Sequence, residues 1–82
     1  MKAFPNPFSS HTSIEFTVPA THATVEVYDM AGAKVAELFN GTTVPDELYT
    51  VDFNGDLYPA GVYFYRLTYE GNIYYDKLTL IK

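Results

Sequence analysis

Apolar and polar residues alternate one by one along most of this chain, and that period of two restricts it to β-structure. In Ser13–Val18, Ile14, Phe16 and Val18 alternate with Ser13, Glu15 and Thr17. Successive side chains of a strand point to opposite faces, so the spacing gives one apolar face and one wetted face. Ala23, Val25 and Val27 repeat the pattern in Ala23–Asp29, as do Tyr49, Val51 and Phe53 in Leu48–Phe53. Lys34–Phe39 reads as a less regular strand, with Ala36 and Leu38 opposite Val35. Val62–Tyr69 is apolar or aromatic on both faces except at Arg66 and Thr68, the pattern of a strand inside a sheet. Ile73–Ile81 places Tyr74, Leu78 and Leu80 on one face and Tyr75, Lys77 and Thr79 on the other. No stretch has helical spacing.

Turn chemistry punctuates these runs about every ten residues. Ala31–Gly32, Asn40–Gly41, Asn54–Gly55 and Glu70-Gly71-Asn72 are the breaks, and Pro45 and Pro59 mark loops. The count is six strands, or seven if Ala3–Phe4 pairs briefly. Many short strands with regular turns predict an antiparallel sandwich or small barrel.

With 82 residues the chain makes one domain with a thin core. It has no cysteine, so large rings must supply the buried area: eight Tyr and six Phe. Tyr63, Tyr65, Leu67 and Tyr69 are expected to fill the core, with the hydroxyls at its rim. The formal charge of −5 lacks the basic cluster that nucleic acid requires. No apolar run has the length of a membrane helix. The first residues lack the basic-then-apolar pattern of a signal peptide, so if the domain leaves the cytoplasm an export signal must be carried upstream of it.

Residues able to do chemistry are few and scattered. His11 and His22 fall in expected loops without partners at ligand spacing, so no metal or cofactor is expected. Ser9, Ser10 and His11 are adjacent, but nothing identifies an orienting third group. The run Asp52-Phe53-Asn54-Gly55-Asp56 alternates oxygens around a glycine but lacks a distal bidentate Glu, and it reads as a hairpin turn. Asn40-Gly41-Thr42 matches a glycosylation sequon that a turn explains equally. No catalytic residue is expected, and the chain reads as a non-enzyme. Five of the eight tyrosines lie within Tyr63–Tyr75. A sugar-binding face using Tyr58, Tyr63, Tyr65 or Tyr75 is one alternative, predicting coplanar exposed rings. A purely structural spacer is another.

Four stretches in order carry more information. They are Phe4-Pro5-Asn6-Pro7-Phe8, Val25–Val35 (VEVYDMAGAKV), Pro59–Leu67 (PAGVYFYRL) and Lys77–Lys82 (KLTLIK). Together they span nearly the whole chain, which resembles the C-terminal sorting domain of cargo proteins of the bacterial type IX secretion system. The resemblance implies an immunoglobulin-like β-sandwich cut from the C-terminus of a larger secreted protein. It also implies passage through the periplasm to the cell surface or extracellular space. The implied partners are a fused upstream cargo domain, an outer-membrane translocon and a sortase-like peptidase. That peptidase removes the domain while cargo is released or joined to an anionic lipopolysaccharide.

On this reading Pro5, Asn6 and Pro7 form a stiff entry arm, because proline fixes φ and extends its predecessor. Asn6 is expected to satisfy nearby backbone groups, and Phe4 and Phe8 to cover the bottom of the sandwich. Gly32 and Gly61 serve backbone geometry. Arg66 is expected to pair with an acid on a neighbouring strand. Lys77, Leu78, Leu80 and Lys82 belong to a terminal strand expected at a sheet edge, where free backbone groups invite strand addition. Loss of these last residues is expected to abolish secretion while sparing most of the fold. The same edge offers a way for two copies to form a homodimer.

Overall fold

A computed structural model describes all residues, Met1–Lys82. Seven strands follow one another: β1 (Lys2–Phe4), β2 (His11–Phe16), β3 (His22–Tyr28), β4 (Lys34–Thr42), β5 (Tyr49–Asn54), β6 (Gly61–Tyr69) and β7 (Asn72–Leu80). They form two antiparallel sheets, with orders β1-β2-β5 and β4-β3-β6-β7. This is an immunoglobulin-like sandwich, and its seventh strand is the brief Ala3–Phe4 pairing, here Lys2–Phe4 against Ser13–Glu15.

The alternating residues place the core between the sheets. Ile14, Phe16 and Phe53 come from one sheet, and Val25, Val27, Tyr65, Leu67, Leu78 and Leu80 from the other. Phe16 stacks on Tyr49 and meets Phe39 edge-on, tying β2 and β5 to β4 across the sandwich. Apolar burial of this kind yields roughly 25 cal/mol per Å², so full-sized rings contribute most where side chains are few. β6 lies between β3 and β7, as its two apolar faces require. Tyr63 and Tyr65 are 4% and 1% exposed and keep their hydroxyls bonded at the rim, to the Pro59 carbonyl and the Asp76 carboxylate.

Two turns match their sequence chemistry. Glu70 and Gly71 both have positive φ (46° and 79°), the geometry of a two-residue hairpin loop. At the β3–β4 connection Gly32 has φ 86°, and the Asp29 carboxylate accepts from the N–H groups of Ala31 and Ala33.

Two expected turns are not hairpins. Asn40–Gly41 lies inside β4, in register with Thr24 and Ala23. Two register shifts along the β3–β4 pair account for the irregular apolar pattern there and let the strand run on to Thr42. Asn54–Gly55 leads into a single 3-10 turn, Gly55–Leu57, because β5 and β6 belong to different sheets. The Asn54 side chain caps that turn by accepting from Asp56 N–H. Strand boundaries also move: His11 and His22 are the first residues of β2 and β3 rather than loop residues.

Candidate functional site

The two ends of the chain meet. β7 is the edge of the four-stranded sheet, and the Pro-Asn-Pro arm lies along its open side. Asn6 does this with its side chain. Its Nδ2 donates to the Lys77 carbonyl at 2.7 Å, and its Oδ1 accepts from Thr79 N–H at 3.1 Å. A carboxamide carries one donor and one acceptor side by side, like a peptide group, so Asn6 stands in for a residue of a neighbouring strand.

Phe8 continues the pairing with its backbone. Its N–H donates to the Thr79 carbonyl at 2.9 Å, and its carbonyl accepts from Ile81 N–H at 2.8 Å. Phe8 and Leu80 form a parallel bridge at this point. The Phe8 ring is 2% exposed and meets Phe53 edge-on, which anchors the arm in the core. Behind the arm, buried Thr12 donates from Oγ1 to the Pro5 carbonyl at 2.7 Å. Pro5 and Pro7 supply no N–H, so the arm presents no backbone donors at those positions and meets β7 through Asn6 and Phe8.

This seam assembles the residues expected to serve recognition, but they divide into two kinds. Pro5, Asn6, Pro7, Lys77 and Lys82 are exposed, whereas Leu78 and Leu80 are 0% and 1% exposed core residues. Neither Lys77 nor Lys82 joins an ion pair. The Lys82 ammonium donates to the Tyr58 carbonyl instead. Asn6 bonds residues over 70 positions away rather than its local backbone. Phe4 is 60% exposed with the Lys2 ammonium over its ring, so only Phe8 covers the sandwich floor. The terminal edge from Lys77 to Ile81 is therefore occupied, not open. Leu78 and Leu80 belong to the core, so a truncation that reaches them removes buried apolar side chains as well as exposed ones.

Sequence reasoning missed Gly55. A Cβ there would lie 2.8 Å from the Phe8 ring and 2.9 Å from Leu80 Cδ1. Glycine at this position lets the arm and β7 close over the 3-10 turn. The residue's place beside Asn54 suggested only a turn, and no local signal reveals the close approach.

On the outer face of the four-stranded sheet, Arg66 bonds Glu26 at 2.7 Å from the adjacent strand β3. Its guanidinium also lies over the Tyr28 ring, 4.6 Å from the centroid. Lys34 approaches the same carboxylate at 3.1 Å. The Arg66 hydrogen bond, helped by Lys34 and Tyr28, holds the Glu26 carboxyl below its ordinary range against the opposing effect of burial. The expected ion pair between Arg66 and an acid on a neighbouring strand is thus present. The four tyrosines considered for a sugar-binding face share no coplanar exposed surface: Tyr63 and Tyr65 are buried, Tyr58 meets Tyr63 at 63°, and only Tyr75 is exposed.

The sequence, from end to end, agrees with one family. The model of the secretion system C-terminal sorting domain matches residues 2–82. The chain belongs to that family. No curated protein matches the chain. Type IX sorting domains are signals that direct an attached upstream cargo, through the type IX machinery, to the cell surface or extracellular space. Theirs is not a family of enzymes.

Proposed function

We propose that this chain is the C-terminal sorting domain of a larger secreted protein, and that the translocon reads the clasped seam rather than a linear tail. The observation that carries this reading is the Asn6 side chain bonded to Lys77 and Thr79. It makes the outward display of Pro5, Pro7, Lys77 and Lys82 depend on the folded state. Two unpaired ammonium groups on a chain of charge −5 give the seam an electrostatic identity distinct from the rest of the surface. Leu78 and Leu80 hold the strand in place from inside and are not read directly.

The domain acts as substrate and address label and performs no catalysis. Its cargo crosses the periplasm before reaching the translocon. A sortase-like peptidase then removes the domain by cutting upstream of β1, because the arm after β1 is tied to β7 at Asn6 and Phe8.

The test is a fusion of a signal peptide, a reporter and residues 1–82, expressed in cells with and without the type IX translocon. The reporter should reach the medium or surface only in the first. Lys77→Ala with Lys82→Ala should leave the purified domain folded and reduce export. Retention of the unmodified fusion in both cell types overturns the reading. Full export of a folded double variant overturns the seam as its recognition element.

A further inference from the structure

The arm closes only the C-terminal half of the β7 edge. Residues of an antiparallel strand alternate between bonding one neighbour and facing away from it. The bonds of Thr79 and Lys77 to Asn6 and Phe8 show that these residues face away from β6. β6 and β7 pair without a register shift from Leu80 back to Asn72, so Tyr75 and Ile73 face outward as well. No turn, loop or side-chain hydrogen bond engages their backbone groups. The result is an open strip with two N–H and two C=O groups. Ile73, Tyr74 and Tyr75 beside it are 51%, 47% and 60% exposed.

The other edges carry protection of the kinds that discourage pairing. β1 has three residues, β4 has two register shifts, and β5 places Asp52 in solvent. The open half of β7 is longer than β1 and pairs with β6 without a register shift, and its one exposed charge, Asp76, lies at the end of the strip.

We infer that the Asn72–Asp76 strip is a self-association surface, on which two copies of this chain pair antiparallel about a two-fold axis at Tyr74. This register sets Ile73 of each copy opposite Tyr75 of the other. All four open groups of each copy are then used, making four N–H···O bonds in total. The four-stranded sheets join into one sheet of eight. Ile73 meets Tyr75 on the outer face, a β-branched–aromatic pair that favours antiparallel pairing. The two Tyr74 residues oppose each other at the narrow, non-hydrogen-bonded position. Asn72 faces Asp76, so no like charges oppose.

The arm selects this register. Moving the axis to Tyr75 would require Ile73 to pair with Lys77, whose carbonyl Asn6 already holds. The contact is short, so the dimer is weak and concentration-dependent.

Sedimentation equilibrium and amide NMR of the 82-residue chain, from about 10 µM to about 1 mM, test this. A reversible dimer should form across that range, with the Ile73 and Tyr75 amides gaining exchange protection as concentration rises. Tyr75→Pro removes an N–H that β6 does not use, a substitution edge strands accept. It should weaken association at least tenfold. Tyr74→Lys sets two ammonium groups face to face and should do the same, with all backbone bonds kept. It decides the matter if the NMR spectrum shows the proline variant unfolded. A chain monomeric at about 1 mM overturns the inference. So does a dimer that a folded Tyr74→Lys variant leaves intact, or one in which Thr79 and Ile81 lose protection through exchange of the arm.

Discussion

Gly55 lies directly beneath Phe8, and a Cβ at position 55 would come within 2.8 Å of the Phe8 ring. Phe8 is buried and Leu80 crowds the same spot at 2.9 Å, so neither neighbour has free space to move into. Gly55→Ala should destabilise the domain by about 1–3 kcal/mol, the usual cost of overpacking. Urea unfolding followed by tyrosine fluorescence measures this. Because the clash lies at the seam, the Thr79 and Ile81 amides should lose exchange protection before those of β3.

Asn6→Ala deletes both side-chain bonds to β7 while leaving the Phe8 backbone pairing in place. The site is exposed, so water partly replaces the lost partners, and the cost should be about 1–2 kcal/mol. Asn6→Asp should fail to restore the bond to the Lys77 carbonyl, because a carboxylate has no donor. Hydrogen exchange at Thr79 distinguishes the variants from the parent. Unchanged protection there in Asn6→Ala would show that the clasp contributes nothing.

Glu26 is the acid-sensitive group of the outer face. Its folded pKa lies below the ordinary value of 4.5, chiefly through the Arg66 hydrogen bond. A depressed carboxylate contributes stability above the unfolded pKa and loses it as pH falls through the folded one. Stability should therefore decline below about pH 4.5. Glu26→Gln should flatten that decline and cost about 1–3 kcal/mol at neutral pH, since Arg66 loses its charged partner. Melting curves from pH 3 to 7 should show both effects; an unaltered acid slope in Glu26→Gln would refute the assignment.

Tyr65 governs the alkaline limb. Burial, with the Asp76 carboxylate nearby, pushes its hydroxyl from 10.0 up to about 12. A raised pKa leaves stability intact below the unfolded value and erodes it as pH rises toward the folded one. The loss should develop between about pH 10 and 12 and reach about 2–3 kcal/mol at its upper end. Tyr65→Phe should lessen this dependence while costing little at pH 7, since its bond to Asp76 is long at 3.4 Å. Denaturation midpoints across the range give the comparison.

The alternation of Ile14/Phe16, Val25/Val27 and Tyr63/Tyr65/Leu67 was enough to specify strands and their inward faces, because a period of two assigns each side chain to a face before any contact forms. The all-apolar pattern of Val62–Tyr69 was enough to put β6 inside a sheet. Glu70–Gly71 specified its hairpin through positive φ. The family, too, was legible in four ordered stretches. Asn40–Gly41 misled because a turn signal yields to a neighbouring strand that can still be paired, and β3 continues alongside it.

What tertiary structure alone decided is the seam. Nothing local to Asn6 tells that its amide will bond Lys77 and Thr79, and nothing local to Gly55 tells that Phe8 and Leu80 will lie above it. Periodicity reports which face of a strand meets the core. It carries no information on which backbone edge another segment will cover, since that depends on loop closure across the whole chain. The sequence by itself thus determined a sandwich and its sorting family. The fold determined that the first motif closes one half of the last strand and leaves the other half open.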